Sequence, residues 1–244
     1  MIKFFRKIRQ NLLSEGKTGK YFKYAIGEIV LVVIGILIAL QINNWNEREK
    51  ARTFELKMLT EVKEALISDL KHSDRMIKRV NITKNACYNI LEKVYDNIEY
   101  KDSLREEVSD LITGIQYQQT LGPYEAIKSV GLDKISSDSL RSELIAFYDF
   151  NYPRQKELVL WFDNTYDANF KRINDFKEQP EVVKMENDSL SIRMKFNSSI
   201  FQNPEFLEYL SSVELWSRNT EGILKYIRPE MKRLIKEIEL EINK

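Results

Sequence analysis

The sequence is poor in the side chains that carry most nucleophilic and metal chemistry. It has one cysteine, Cys87, and one histidine, His72. A single cysteine excludes an intramolecular disulfide, so core burial must stabilise the fold unaided. One cysteine and one histidine cannot build a Cys/His zinc site, and any Ser-His-Asp triad would have to use His72. Glycine and proline are also scarce, at 8 and 5 of 244 residues. No Gly-rich phosphate loop is present, and Gly122-Pro123 and Gly131 read as helix punctuation. Residues 45–244 lack a basic excess, with 31 Lys/Arg against 35 Asp/Glu. That balance excludes the basic stripe of a nucleic-acid binder. With 43% hydrophobic residues the chain is too apolar for wholesale disorder.

What is present is one long apolar run. Residues 25–42 contain twelve Ile, Leu or Val among eighteen. As a helix they span about 27 Å, close to a hydrocarbon core. Their insertion gain of roughly 4–7 kcal/mol exceeds the cost of about 2.5–3.5 kcal/mol for a central carboxylate, and Glu28 lies only one turn from the end. A buried core helix or strand is the competing reading, but residues 29–40 are apolar on every face and long for a strand. A transmembrane helix is therefore expected over Ala25, Gly27, Glu28, Gly35, Ala39 and Ile42. Gly35 and Ala39 form a small-x-x-x-small pair at which two spans can pack, a motif common by chance.

Seven basic residues precede the run against Glu15 and Glu28, and Asn43-Asn44-Trp45-Asn46-Glu47 follows it. The positive-inside rule then predicts a cytoplasmic segment 1–24, a span 25–42 and a periplasmic domain 43–244. Lys20, Lys23, Tyr24 and Trp45 are the expected interfacial anchors. The long basic region and the absence of a small-x-small site predict an uncleaved anchor rather than a signal peptide. Phe4, Phe5, Ile8, Leu12 and Leu13, interleaved with basic residues, read either as an amphipathic helix on the inner leaflet or as a basic tail.

The stretch FFRKIRQNLLSEGKTGKYFKYAIGEIVLVVIGILIALQINNWNE, residues 4–47, resembles the start of a family of uncharacterised single-pass membrane proteins from Bacteroidota-type bacteria, classed as a domain of unknown function. The match includes Gly27-Glu28 inside the span and the Gln41-x-Asn43-Asn44-Trp45-Asn46 exit. YEAIKSVGLDKISSDSLRSELIAFYD, from Tyr124, resembles the family's helix-turn-helix segment. The resemblance implies an inner-membrane anchor and a periplasmic helical domain, and it brings no catalytic residue.

The rest reads as all-α. Leu59, Val62, Leu66, Leu70, Ile77, Val80, Cys87, Leu91, Val94 and Ile98 recur at helical spacing and predict a first helix to about Tyr100. Asp102-Ser103 is expected to cap a helix to about Gln119, and Pro123 to open a short one ended by Gly131. Ser137 or Asp138 caps the next, through Phe150. Pro153 punctuates, and a helix resumes to about Glu178. Residues 179–203 read as a loop with a short helix from Asp188. Asn203-Pro204 opens the last helix, with an apolar stripe from Phe206 to Ile238 and a kink at Pro229. Long first and last helices predict an antiparallel bundle.

Little chemistry emerges. His72 reads as a solvated helix residue, Cys87 as a buried structural thiol, and the carboxylates as helix-surface charges. No catalytic, cofactor or metal site is expected. Asp-Ser-Leu occurs at 102–104, 138–140 and 188–190, which makes Ser103, Ser139 and Ser189 candidate O-glycosylation sites, or simply helix caps. The aromatics of residues 147–176 read as bundle core or as a binding surface, represented by Tyr148, Tyr152, Trp161 and Tyr166. The expected partners are the lipid bilayer, with self-association or another envelope protein beyond it. The expected role is a non-enzymatic envelope module; a sensor signalling through a partner and a cell-wall-active enzyme are the alternatives.

Overall fold

In the computed structural model the described residues are 18–173, 176–185 and 188–244, without the side chains of 18, 20, 21, 24 and 165–173. The segment carrying Phe4, Phe5, Ile8, Leu12 and Leu13 lies outside them, as do the side chains of Lys20, Tyr24 and Tyr166. Most of the described residues are helical. It divides into two units, Met1–Leu56 and Lys57–Lys244.

Helix α1 runs over Thr18–Tyr95. Its described part in the first unit carries the apolar run. The side chains of residues 29–34 are all exposed, as are Ile36, Leu37, Ile38, Leu40 and Ile42. A soluble core helix would bury one face, and this one buries none. It is long and apolar enough to cross a membrane.

Within the second unit α1 supplies the apolar stripe read from sequence. Leu59, Val62, Leu66, Val80 and Cys87 are buried. The helix ends sooner than expected, because Asn97 adopts a left-handed φ of 54°. Its N–H donates to the Val94 carbonyl and that of Ile98 to Lys93, a Schellman closure that satisfies terminal carbonyls.

A short 3-10 turn, Asp102–Leu104, leads into α2 (Arg105–Ile112). This helix stops seven residues short of Gln119. Its last carbonyls are taken by α1: Arg79 donates to the carbonyls of Asp110 (2.7 Å) and Thr113 (3.1 Å), and Thr83 to that of Asp110 (2.9 Å). Once those acceptors are satisfied the chain leaves the helix in extended form at Thr113. Helix α3 (Gly122–Val130) follows, closed by Gly131 at φ 120°. Its range and its glycine stop match the sequence reading.

Helix α4 (Asp138–Ile145) is capped by Ser137, whose hydroxyl accepts from the Leu140 N–H. Pro153 does not interrupt what comes next. Residues Ala146–Asn151 form a π-helical turn that runs directly into α5 (Tyr152–Ile173). The Tyr152 N–H reaches back five residues to Phe147, and in that widened register the missing proline donor costs little.

The all-α expectation needs one correction. Residues 179–203 hold an antiparallel hairpin, β1 (Glu181–Lys184) and β2 (Leu190–Arg193), pairing Val182 with Ile192 and Lys184 with Leu190. There is no helix from Asp188. That residue takes a left-handed φ of 63° in the connecting turn, a conformation its short polar side chain tolerates. Buried Phe176 and Phe196 tie the hairpin base to the core, and Glu181 bridges Lys195 at 2.8 Å.

Helix α6 (Pro204–Tyr226) starts as read, with the Asn203 side chain accepting from the Glu205 N–H. It breaks at Ile227, and α7 (Arg228–Ile242) resumes with Pro229 in its first turn, where the absent donor is harmless. Contacts along α1 pair Lys63 with Glu239, Asp74 with Arg228, Lys84 with Glu221, and the Cys87 thiol with the Leu210 carbonyl. The partner number falls as the α1 number rises, so α1 is antiparallel to α6 and α7. Val108, Leu111, Val159, Phe206, Tyr209 and Trp216 fill the core between them.

Candidate functional site

The aromatic-rich sequence segment divides by burial. Phe147, Tyr148 and Tyr152 are buried, and Trp161 is exposed. The π turn explains this, since its wider register points both Phe147 and Tyr148 inward ahead of Tyr152. Tyr148 stacks on Tyr124 with ring centroids 4.4 Å apart.

Tyr152 closes a buried polar network. Its hydroxyl donates to Asp69 of α1 at 2.5 Å. Asp69 also accepts from the Thr120 N–H (2.9 Å) and hydroxyl (2.6 Å). Beside it, Tyr117 donates to Gln155 at 2.7 Å and accepts from Gln119 at 2.7 Å. Burial, reinforced by Asp69, pushes the Tyr152 phenol far above its ordinary value, so it stays a donor. Burial likewise raises Tyr117. A void of about 10 Å³ adjoins Asp69, Tyr117, Gln155 and the buried, unbonded Ser73 hydroxyl. The network joins α1, α5 and the extended segment, and a void of that size is no larger than one water molecule needs.

His72 is equally structural. Its Nε2 lies 2.9 Å from the Gln116 carbonyl, and Arg75 lies 3.2 Å from Nδ1. Both ring nitrogens thus have a polar neighbour. The Cys87 thiol is buried, and desolvation, with Glu214 second, pushes it up to about 12. A thiol so protonated is a poor nucleophile. Glu143 and Glu237 form a carboxyl pair beside Arg233, 3.0 and 3.7 Å from its guanidinium. Burial and the hydrogen bond that its protonated form donates to Glu143 raise Glu237. Carboxyls in hydrogen-bond contact leave no room for the sugar ring that the carboxylates of a glycosidase flank. Among the described residues no group of three or more His, Cys, Asp or Glu side chains is placed to hold a metal ion.

Among several concavities of similar volume in the second unit, one groove of about 500 Å³ lies between two long helices. One wall is the start of α5, with Arg154, Gln155 and Leu158 behind Asn151 of the π turn. The other is the end of α6, with Arg218, Gly222, Ile223 and Tyr226, and Glu230 of α7 closes one end. Gln155 ties the walls, its amide donating to the Ile223 carbonyl at 3.3 Å. Its volume falls within the range of small-molecule sites. Sequence reading missed these residues. The available signal was Gly222, an isolated glycine inside an otherwise unbroken helical stripe.

The remaining sequence-derived sites fall elsewhere. Ser103, Ser139 and Ser189 are all exposed. Ser103 lies in the 3-10 turn and Ser139 in the first turn of α4, while Ser189 precedes β2. Ala25, Gly27, Glu28, Lys23, Gly35, Ala39, Ile42 and Trp45 lie along α1 in the first unit, and neither Gly27 nor Gly35 has a neighbour within 4 Å of where a Cβ would stand.

No curated protein and no solved structure matches the chain. A family model does match, over residues 28–209, which takes in the apolar run, the polar network and most of the helical unit. The chain belongs to a family of unknown function (DUF6090).

Proposed function

We propose that the protein is a membrane-anchored, non-enzymatic interaction module of a bacterial cell envelope, which engages another envelope component through the groove between α5 and α6. The N-terminus is cytoplasmic, residues 25–42 cross the inner membrane, and the helical unit is periplasmic. The observation that carries this reading is the apolar run exposed on every face of α1, which only a lipid environment or another protein can cover. The basic residues ahead of it set the orientation.

Two measurements on the full chain test it. In a Cys87→Ser background, a membrane-impermeant maleimide is expected to label Asn46→Cys in intact spheroplasts and Lys17→Cys only after lysis. The reverse pattern rejects the orientation, and release of the protein by alkaline carbonate rejects the anchor. A photo-crosslinker at Leu158, on the groove wall, should give a discrete adduct in the native host, with none from Tyr95. Equal yields from both positions reject the groove as the interface.

A sensor reading is favoured by one feature. Helix α1 is continuous from the apolar run into the helical unit, so a ligand-induced shift could reach a membrane partner along it. It predicts that deleting the gene changes signalling by a neighbouring receptor.

A further inference from the structure

Several departures from local rules meet along the groove between α5 and α6. The π turn ends at Asn151, α6 breaks at Ile227, and Gly222 sits in the interior of α6. Glycine weakens a helix interior relative to alanine. No internal packing requires it here, because a Cβ at 222 would meet nothing within 4 Å. What the missing side chain does is leave the groove floor open beside Ile223. Rule-breaking residues that serve no packing need concentrate at functional sites.

The charges on the walls indicate what fills the opening. Arg154 is exposed and makes no ion pair among the described residues. Arg218, itself exposed, meets the half-buried Glu214 at 3.4 Å one helical turn away, a longer and exchangeable contact. The groove's own carboxylate, Glu230, already accepts from Asn151 at 2.8 Å. Two guanidinium forks therefore face the space with donors to spare, against one engaged carboxylate. Leu158, Ile223 and the Tyr226 ring, 84% exposed, supply apolar surface next to them.

Resting on the interaction-module reading, we propose that the groove binds an anionic ligand, a carboxylate carried on an apolar or aromatic body. The guanidinium of Arg154 grips the carboxylate, seconded by Arg218. The body lies on the floor at Gly222 and against Tyr226 and Leu158.

The test uses the full chain in detergent micelles and three probes: N-acetylphenylalanine, its uncharged amide, and phenyl phosphate. The acid is expected to bind saturably with a Kd on the order of 1 mM, as suits a ligand of its size. The amide should bind at least tenfold more weakly, and Arg154→Gln should weaken the acid by a similar factor. Gly222→Leu should abolish binding by filling the floor. Gly222→Ala should raise Tm, and Gly222→Leu should keep the wild-type Tm, which shows that the Leu variant loses a site rather than its fold; a Leu variant that binds nothing at an unchanged Tm supports the site. Equal affinity for acid and amide overturns the anionic assignment, and if Gly222→Leu still abolishes both, the interaction reading stands without it. Phenyl phosphate binding tenfold more tightly than the acid overturns the carboxylate. No binding at about 10 mM, or binding that survives Gly222→Leu, overturns the proposal itself.

Discussion

At the scale of single residues, Asp69 and Cys87 serve the packing of the second unit. Asp69 accepts three hydrogen bonds from groups on two other segments. Replacing Asp69 by Ala leaves the buried Tyr152 hydroxyl and the Thr120 donors without their acceptor. We expect a loss of about 3 kcal/mol in urea unfolding, and about 1–2 kcal/mol for Tyr152→Phe. Losses below about 0.5 kcal/mol for both would show that the network does not bear on stability. Cys87 gives a pH prediction. Its thiol titrates near 9.0 when exposed and at about 12 in the fold. Below pH 9 both states are protonated and the contribution is fully present. Between about 9 and 12 only the unfolded chain gives up the proton, so stability falls as pH rises, by up to about 1.4 kcal/mol per unit. Unfolding curves of wild type and Cys87→Ala should therefore converge as the pH climbs through that window. A constant gap contradicts the buried, protonated thiol. The buried Cys87 thiol was legible in sequence, from its place on the apolar stripe, and the role of Asp69 was not. Asp69 looks like any helix-surface acid, and only the fold brings Thr120 and Tyr152 to it.

At the scale of elements, the sequence revealed what local chemistry decides and hid what distant partners decide. The Asn203-Pro204 start, the Gly131 stop and the α6 break at Ile227 ahead of Pro229 were all readable, because cap and ring effects act within a few residues. The short α2 was not, since its end is set by Arg79 and Thr83 reaching over from α1. The hairpin was hidden for a different reason. Asp188-Ser189 also makes a good helix cap, and Glu181-Val182-Val183-Lys184, with two adjacent valines between charges, shows no strand alternation to outweigh it. The end of α1 offers the test. Asn97 holds a left-handed conformation that costs a side-chain-bearing residue about 1–2 kcal/mol. Asn97→Gly should leave stability unchanged or raise it by up to about 1 kcal/mol, whereas Asn97→Val should lower it by about 1–2 kcal/mol. Thermal unfolding that ranks valine with glycine would mean the Schellman closure does not form.

At the scale of the whole molecule, the two units differ in what they leave uncovered. Residues 25–42 expose apolar side chains on every face, while the buried hydrophobic residues begin at Met58. Among the described residues, the second unit's own buried hydrophobic residues run from Met58 to Ile238. A core of that extent, with Trp216, Tyr209, Phe206 and Phe147 fully buried, is sufficient for a domain of this size to fold alone. Residues 57–244 expressed by themselves should then be soluble without detergent, strongly helical by circular dichroism, and cooperative in urea with coincident transitions by fluorescence and ellipticity. The full chain should need detergent or lipid to stay dispersed, because water cannot cover an all-round apolar helix. If residues 57–244 aggregate or melt without a transition, the helix ahead of them contributes to folding as well as to anchoring. If they fold and the full chain also stays soluble in plain buffer, the apolar run is covered by protein, and a second copy of this chain is the first partner to look for, packed at Gly35 and Ala39, where small side chains let two helices approach.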